Sequence, residues 1–221
     1  IVRITTSSTR LGDPVEKRRF IDFLIAQDVL KFGEFTLNSG RISPYFFILG
    51  AVSDGAGFAE LGRAYAQTIV DAGLEFDVLF GPAYKGIPIA VATATALAAQ
   101  DVHVSVAYNR KEAKDHGEGG QLVGAEVTGR VLLVDDVLTS GKAIRQSVDL
   151  IAQTDAEIVG TVIALDRAEL VAGEVTAVEA LAKDLQAPIV SIASVADIIE
   201  RLADATDSTL QQRMVDYQQQ Y

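Results

Sequence analysis

The chain has 221 residues, 49% of them hydrophobic, with a formal net charge of −11 and no cysteine. That length supports one substantial core and a small appended subregion, while the negative charge disfavours broad binding to nucleic acid or to an anionic membrane surface, because a polyanion must be met by positive potential. The absence of cysteine removes disulfides, thiolate catalysis and cysteine-based metal sites, and with no apolar run of bilayer length and no secretory segment in the first twenty residues, a cytoplasmic location is expected.

Residues 1 to 13 are polar and lack a helical stripe, which predicts an exposed or appended terminus. From Glu16 to Leu30, the spacing of Phe20, Phe23, Leu24 and Val29 predicts an amphipathic helix. "LKFGEFTLNSGRISPYFFIL" mixes glycine and proline turns with five aromatics, favouring short strands and loops. Phe58, Leu61, Tyr65 and Ile69 then mark a helix face, "VLF" at 78 to 80 a short strand, and Ile87, Val91, Ala94 and Ala98 another helix stripe. Val102, Val104 and Val106 alternate with His103 and Ser105 as a partly wet strand. "NRKEAKDHGEGGQ", residues 109 to 121, carries mixed charges and three glycines and predicts an exposed, flexible loop.

"VLLV" at 131 to 134 reads as a central strand, followed by a helix whose inner face is Ala143, Ile144, Ser147, Val148 and Ile151. Strands are expected at 158 to 165 and 188 to 193, a helix within 195 to 205, and a short glutamine-rich element or fraying tail at the end. Alternation of strands and helices predicts an α/β fold with a mostly parallel sheet flanked by helices.

The chemistry concentrates in "GRVLLVDDVLTSGKAI", residues 129 to 144, where Asp135 and Asp136 stand at the end of a buried strand. Loops at the carboxyl ends of parallel strands converge on ligands. There the two carboxylates can accept hydrogen bonds from sugar hydroxyls or contact hydrated magnesium, while Thr139, Ser140, Gly141 and the following amides surround an anion at a helix start. Two acids that are merely solvated, or that cap the next helix, satisfy the same pattern. A Walker A loop is a poorer fit, since Lys142 is followed by Ala143 and the earlier glycine is missing; "GEGG" at 117 to 120 lacks the dinucleotide fingerprint. His103 and His116 are too few for a histidine-rich metal site.

"VLLVDDVLTSGKA" resembles the phosphoribosyl diphosphate motif of type I phosphoribosyltransferases. "KFGEFTLNSGRISPYFF", "FGPAYKGIPIA", "NRKEAKDHGEGGQLVG" and "ALDRAE" resemble, in the same order, the signatures of bacterial orotate phosphoribosyltransferases, over about Phe20 to Leu202. The resemblance implies a single catalytic domain spanning 1–221, with an N-terminal hood and a mobile catalytic loop near 109–121. It implies transfer of a phosphoribosyl group from 5-phosphoribosyl 1-diphosphate to orotate, giving orotidine 5'-phosphate and diphosphate, with Mg2+ as cofactor and no protein side chain assigned as its direct ligand. It further implies a homodimer with shared active sites.

By motif matching, Asp135, Asp136, Val137, Leu138, Thr139, Ser140, Gly141, Lys142 and Ala143 surround the ribose and its 5-phosphate. Tyr84 and Lys85 form the diphosphate-side turn, and Arg110, Lys111, Lys114 and His116 belong to the catalytic loop. Phe46, Phe47, Thr139 and Arg167 approach orotate, a role that suits a guanidinium fork facing a planar acid. Asp135 and Asp136 are expected to favour a cationic ribose, and Lys114 to stabilise the departing diphosphate. One departure stands out: the family's "TLKSG" reads "TLNSG" here, so Asn38 supplies a hydrogen-bond donor without a full positive charge, and weaker donor binding is expected. A type I transferase acting on a purine, or a regulator that binds phosphoribosyl ligands without turnover, shares the DD block; "FGPAYKG", the basic segment and Arg167 favour orotate over both.

Overall fold

The computed structural model describes residues 12–37, 40–114, 120–138, 141–171, 175–204 and 208–221, with the backbone alone described for 113, 114 and 142. Asn38, His116, Thr139, Ser140 and the segment 1–11 therefore lie outside the described residues, as do the side chains of Lys114 and Lys142.

The chain opens with α1 (Pro14–Ala26), capped by Asp13, whose Oδ1 accepts the Val15 N–H at 2.9 Å. The helix ends four residues short of the expected Leu30, because Asp28 turns into a positive φ of 57° and the Val29 N–H returns to the Leu24 carbonyl. An antiparallel hairpin follows, β1 (Leu30–Thr36) with β2 (Ile42–Phe47). Then come α2 (Gly55–Asp71), β3 (Val78–Gly81), α3 (Gly86–Ala98), β4 (Ser105–Lys114), β5 (Gly120–Gly124), β6 (Arg130–Val137), α4 (Lys142–Ile151) and β7 (Glu157–Asp166). The small pair β8 (Leu170–Val171) and β9 (Val175–Thr176) leads to α5 (Ala177–Leu185), β10 (Ile189–Ser194), α6 (Val195–Asp204) and α7 (Ser208–Gln220).

The main sheet has the order β10-β7-β6-β3-β4-β5. Five strands run parallel and β5 pairs antiparallel to β4 at one edge, so the sheet is mixed rather than purely parallel. Alternate residues of the central strands feed two cores: Leu79, Leu132 and Val134 join α1, α2, α3 and α6 on one face, whereas Val78, Phe80, Val131 and Leu133 meet Ile144 of α4 and Leu181 of α5 on the other. This period-two division makes the fold an α/β sandwich of three layers.

Other local expectations change. The strand expected from Val102 begins only at Ser105, where pairing with β3 starts. Residues 109–114 continue β4 and 120–121 begin β5, because backbone pairing along a sheet edge overrides the loop-like composition; residues 115–119 lie outside the described residues. On β4, the step from Asn109 to Lys114 is matched only by that from Leu122 to Gly120, so the strand carries surplus residues there. The predicted stripe on α3 is its outer side: Ile89, Ala90, Thr93 and Leu97 are buried, and Val91 is 51% exposed. That helix is apolar nearly all round, and it lies close against α2, where an added Cβ on Gly62 would lie 2.3 Å from the Ala92 carbonyl oxygen. Finally, of the two alternatives for the glutamine-rich end, the structure shows the ordered element. It is α7, with Met214 and Tyr217 buried against the β1–β2 hairpin and α6.

Candidate active site

The order of strands reverses between β3 and β6. From β3 the chain proceeds outward through β4 and β5, then returns to β6 on the other side of β3 and proceeds to β7. Such a switch point leaves a crevice at the carboxyl ends of the two strands. Here it is a cavity of about 920 Å³, lined by Tyr84 and Lys85 after β3, by Asn109, Arg110 and Lys111 of β4, by Asp135, Asp136 and Val137 of β6 and Leu138 just after it, and by Gly141 and Ala143 at the start of α4.

Asp135 and Asp136 are each only 7% exposed. Asp135 Oδ1 accepts the Asp136 N–H at 2.9 Å, Asp136 Oδ1 accepts the Val137 N–H at 2.8 Å, and Tyr65 Oη donates to the Asp135 carbonyl at 2.7 Å. Burial, reinforced by the neighbouring Asp136 carboxylate, raises the Asp135 carboxyl to about 7. Lys85 Nζ lies 2.5 Å from Asp136 Oδ2, placing one cation directly against the acid pair. Gly141 takes a φ of 65° and passes into α4 without contributing a capping side chain, so that helix start presents its amide groups at the edge of the cavity.

The opposite wall is basic and aromatic. Lys111 Nζ sits 4.6 Å above the centre of the exposed Tyr84 ring. The Ala83–Tyr84 peptide is cis, and the Ala83 N–H donates to Asn109 Oδ1 at 2.9 Å. Asn109 is a residue that the sequence reading placed at the start of a loop. The available signal was its parity: two residues after the buried Ala107, it is the inward position of the same strand. Tyr65 is expected only as part of a helix face, yet its hydroxyl holds the backbone of the acid pair.

Of the residues expected near an acceptor, Phe46, Phe47 and Arg167 do not line this cavity, and Thr139 lies outside the described residues. Arg167, just past β7, is partly buried and donates from Nε to Tyr45 Oη at 3.2 Å, with Nη2 2.6 Å from Glu169 Oε1. Phe46 is 37% exposed and packs on Phe35, whereas Phe47 points into the core.

Residues 50–194 match the family model described as phosphoribosyl transferase domain. The chain is 50% identical to the orotate phosphoribosyltransferase of Vibrio atlanticus over 93% of its length and 97% of the relative's, and 53% identical to that of Vibrio cholerae over 87% and 91%. Its backbone superposes on the crystal structure of the Francisella tularensis orotate phosphoribosyltransferase with a TM-score of 0.84, at 39% identity, covering 92% of this chain and 98% of that one. The chain belongs to the orotate phosphoribosyltransferase family.

As an orotate phosphoribosyltransferase, the enzyme brings into one crevice the acid pair, the Tyr84–Lys85 turn, Arg110, Lys111 and the start of α4, which lie far apart in the sequence. Lys114 is placed by its backbone at the far end of β4, opposite Gly120.

Proposed function

We propose that the enzyme transfers the phosphoribosyl group of 5-phosphoribosyl 1-diphosphate to orotate, yielding orotidine 5'-phosphate and diphosphate for pyrimidine nucleotide synthesis. The observation that carries this reading is the pairing, in one cavity, of two buried carboxylates on β6 with cations from two other strand ends. Asp135 and Asp136 take the ribose hydroxyls and favour positive charge on the sugar as its bond to diphosphate lengthens; Lys85, Arg110 and Lys111 neutralise the diphosphate. The start of α4, with Thr139 and Ser140, takes the 5-phosphate, and Arg167 with Phe46 and Thr139 meets orotate. Lys114 and His116 reach the diphosphate from the segment beyond β4, and the whole chain works as one catalytic domain.

Among the described residues no group of three or more acidic or histidine side chains converges on a point. Two adjacent carboxylates beside a phosphate-binding surface fit magnesium that arrives on the diphosphate and keeps most of its water, and Asp135 and Asp136 are the residues that would face it. Bound there, the ion supplies charge neutralisation of the leaving diphosphate.

The reading includes a homodimer. The apolar surface of Phe58, Ile87, Pro88, Val91 and Thr95 on α2 and α3 supports it, because an exposed patch of this kind is suited to a second copy. A cytoplasmic location accords with the reaction; among the described residues no helix is long and apolar enough to cross a membrane.

The deciding experiment follows orotate absorbance after addition of phosphoribosyl diphosphate, with and without magnesium, and identifies the product. Magnesium-dependent loss of orotate with formation of orotidine 5'-phosphate is expected. Unchanged orotate, or selective conversion of a purine, overturns the reading.

A further inference from the structure

The C-terminal helix reaches the acceptor group of residues from outside the matched family segment. Tyr217 Oη donates to Glu169 Oε1 at 3.3 Å, the same oxygen that lies 2.6 Å from Arg167 Nη2. Its ring stands edge-on to Tyr45 at 6.1 Å, and Tyr45 carries both the Arg167 Nε hydrogen bond and, at 5.2 Å, the face over which the guanidinium lies. Gln218 Nε2 donates to the Arg167 carbonyl at 3.0 Å. The end of the helix is tied in turn, since the Leu170 N–H donates to the Tyr221 carbonyl and Arg41 covers the Tyr221 ring.

Arg167 is thus held at its backbone, at Nε and beside Nη2 by three elements at once. Its Nη2 is buried, and although it lies at ion-pair distance from Glu169 it makes no aligned hydrogen bond. A guanidinium has five N–H donors in a fixed plane, and with Nε on Tyr45 and Nη2 against Glu169 the Nη1 donors are its capacity for a planar anionic partner. That capacity is useful only if the fork faces the partner correctly, and the fork's orientation depends on where Glu169 and Tyr45 stand. Tyr217 touches both.

We propose that Tyr217 and Gln218 are positioning residues for the acceptor, setting the orientation of Arg167 through Glu169, Tyr45 and the Arg167 carbonyl. This rests on the reading of Arg167 as the residue that meets orotate. Burial raises the Tyr45 hydroxyl to about 12, which keeps it a neutral acceptor for Arg167 over the working pH range.

The test varies orotate and phosphoribosyl diphosphate separately in steady-state assays of Tyr217→Phe, which keeps the ring, and Gln218→Leu. Each is expected to raise the orotate KM about three- to tenfold, the effect of losing one hydrogen bond, while the donor KM and the melting temperature stay near the parent values. In an Arg167→Ala background the Tyr217→Phe effect should disappear, because the two residues act through one contact chain. An unchanged orotate KM, equal rises in both KM values, or additivity with Arg167→Ala would overturn the inference while leaving the function intact. A parent enzyme that does not consume orotate would overturn the function itself, and the inference with it.

Discussion

Lys85 Nζ lies 2.5 Å from Asp136 Oδ2, joining the turn after β3 to the end of β6 across the mouth of the site. The lysine is half exposed and the carboxylate nearly buried, at 55% and 10% of their side-chain surfaces, so the pair is asymmetric. Losing the cation strands a carboxylate that water reaches poorly.

Lys85→Met is therefore expected to lower kcat/KM for the phosphoribosyl donor by about tenfold to a hundredfold, with a smaller effect on the orotate KM. It should also raise the Asp135 carboxyl further, because Lys85 is among the groups that lower it. A donor KM equal to that of the parent enzyme would remove Lys85 from the diphosphate site.

Asp135 gives a pH dependence whose sign can be stated. Its carboxyl is raised from the ordinary 3.8 to about 7, chiefly by burial, so its ionisation costs the folded state more than the unfolded one. The stability it contributes is full below the ordinary carboxylate range and is lost as pH rises through about 7. Asp135→Asn, which cannot ionise, should gain in melting temperature relative to the parent between pH 4 and pH 8. The parent's donor KM should rise as pH falls from 8 to 6, since a protonated carboxyl accepts sugar hydroxyls less well. A flat difference in melting temperature across that interval would contradict the assigned burial cost.

Lys114→Ala is expected to lower kcat by about a hundredfold, as for loss of a charge that acts on the transition state. A rise in KM alone would move the residue to ground-state binding. Mixed with Asp136→Asn chains, it should recover activity in verified heterodimers, where one site has both residues intact. No recovery would argue against a site shared between subunits.

The α2–α3 contact offers a prediction about stability alone. A methyl group on Gly62 would fall 2.3 Å from the Ala92 carbonyl oxygen, a backbone atom that cannot swing aside. Gly62→Ala should cost about 1 to 3 kcal/mol in denaturant unfolding. Because α3 begins at the Lys85–Gly86 turn, the donor KM should rise in the same variant.

The parts of this molecule that were legible in the sequence are those where burial follows a simple period. Phe58, Leu61, Tyr65 and Ile69 marked α2, and the apolar run before Asp135 marked β6, because each faces a core on a regular repeat. The outer and inner faces of α3 were not distinguishable, since small apolar residues cover both. Strand β4 beyond Asn109 was hidden by charge and glycine content, its structure being set by pairing with β5, from Asn109 with Leu122 to Lys114 with Gly120. The acid pair was legible through its motif, but its contacts were not: Tyr65 comes from α2 and Lys85 from the turn after β3, both distant in sequence. Helix α7 was left open between an ordered element and a fraying tail because its apolar residues are sparse, and its fully buried positions are Met214 and Tyr217.

The surplus residues of β4 between Asn109 and Lys114 have a consequence for how this enzyme can vary. Five residue steps on β4 face two on β5 between the Asn109–Leu122 and Lys114–Gly120 pairs, so one residue there could be lost without moving either pair, and Asn109 would stay anchored to Ala83. Changes of length in the basic segment are thereby absorbed between two fixed points of the sheet edge, and the acid pair on β6 need not shift to accommodate them.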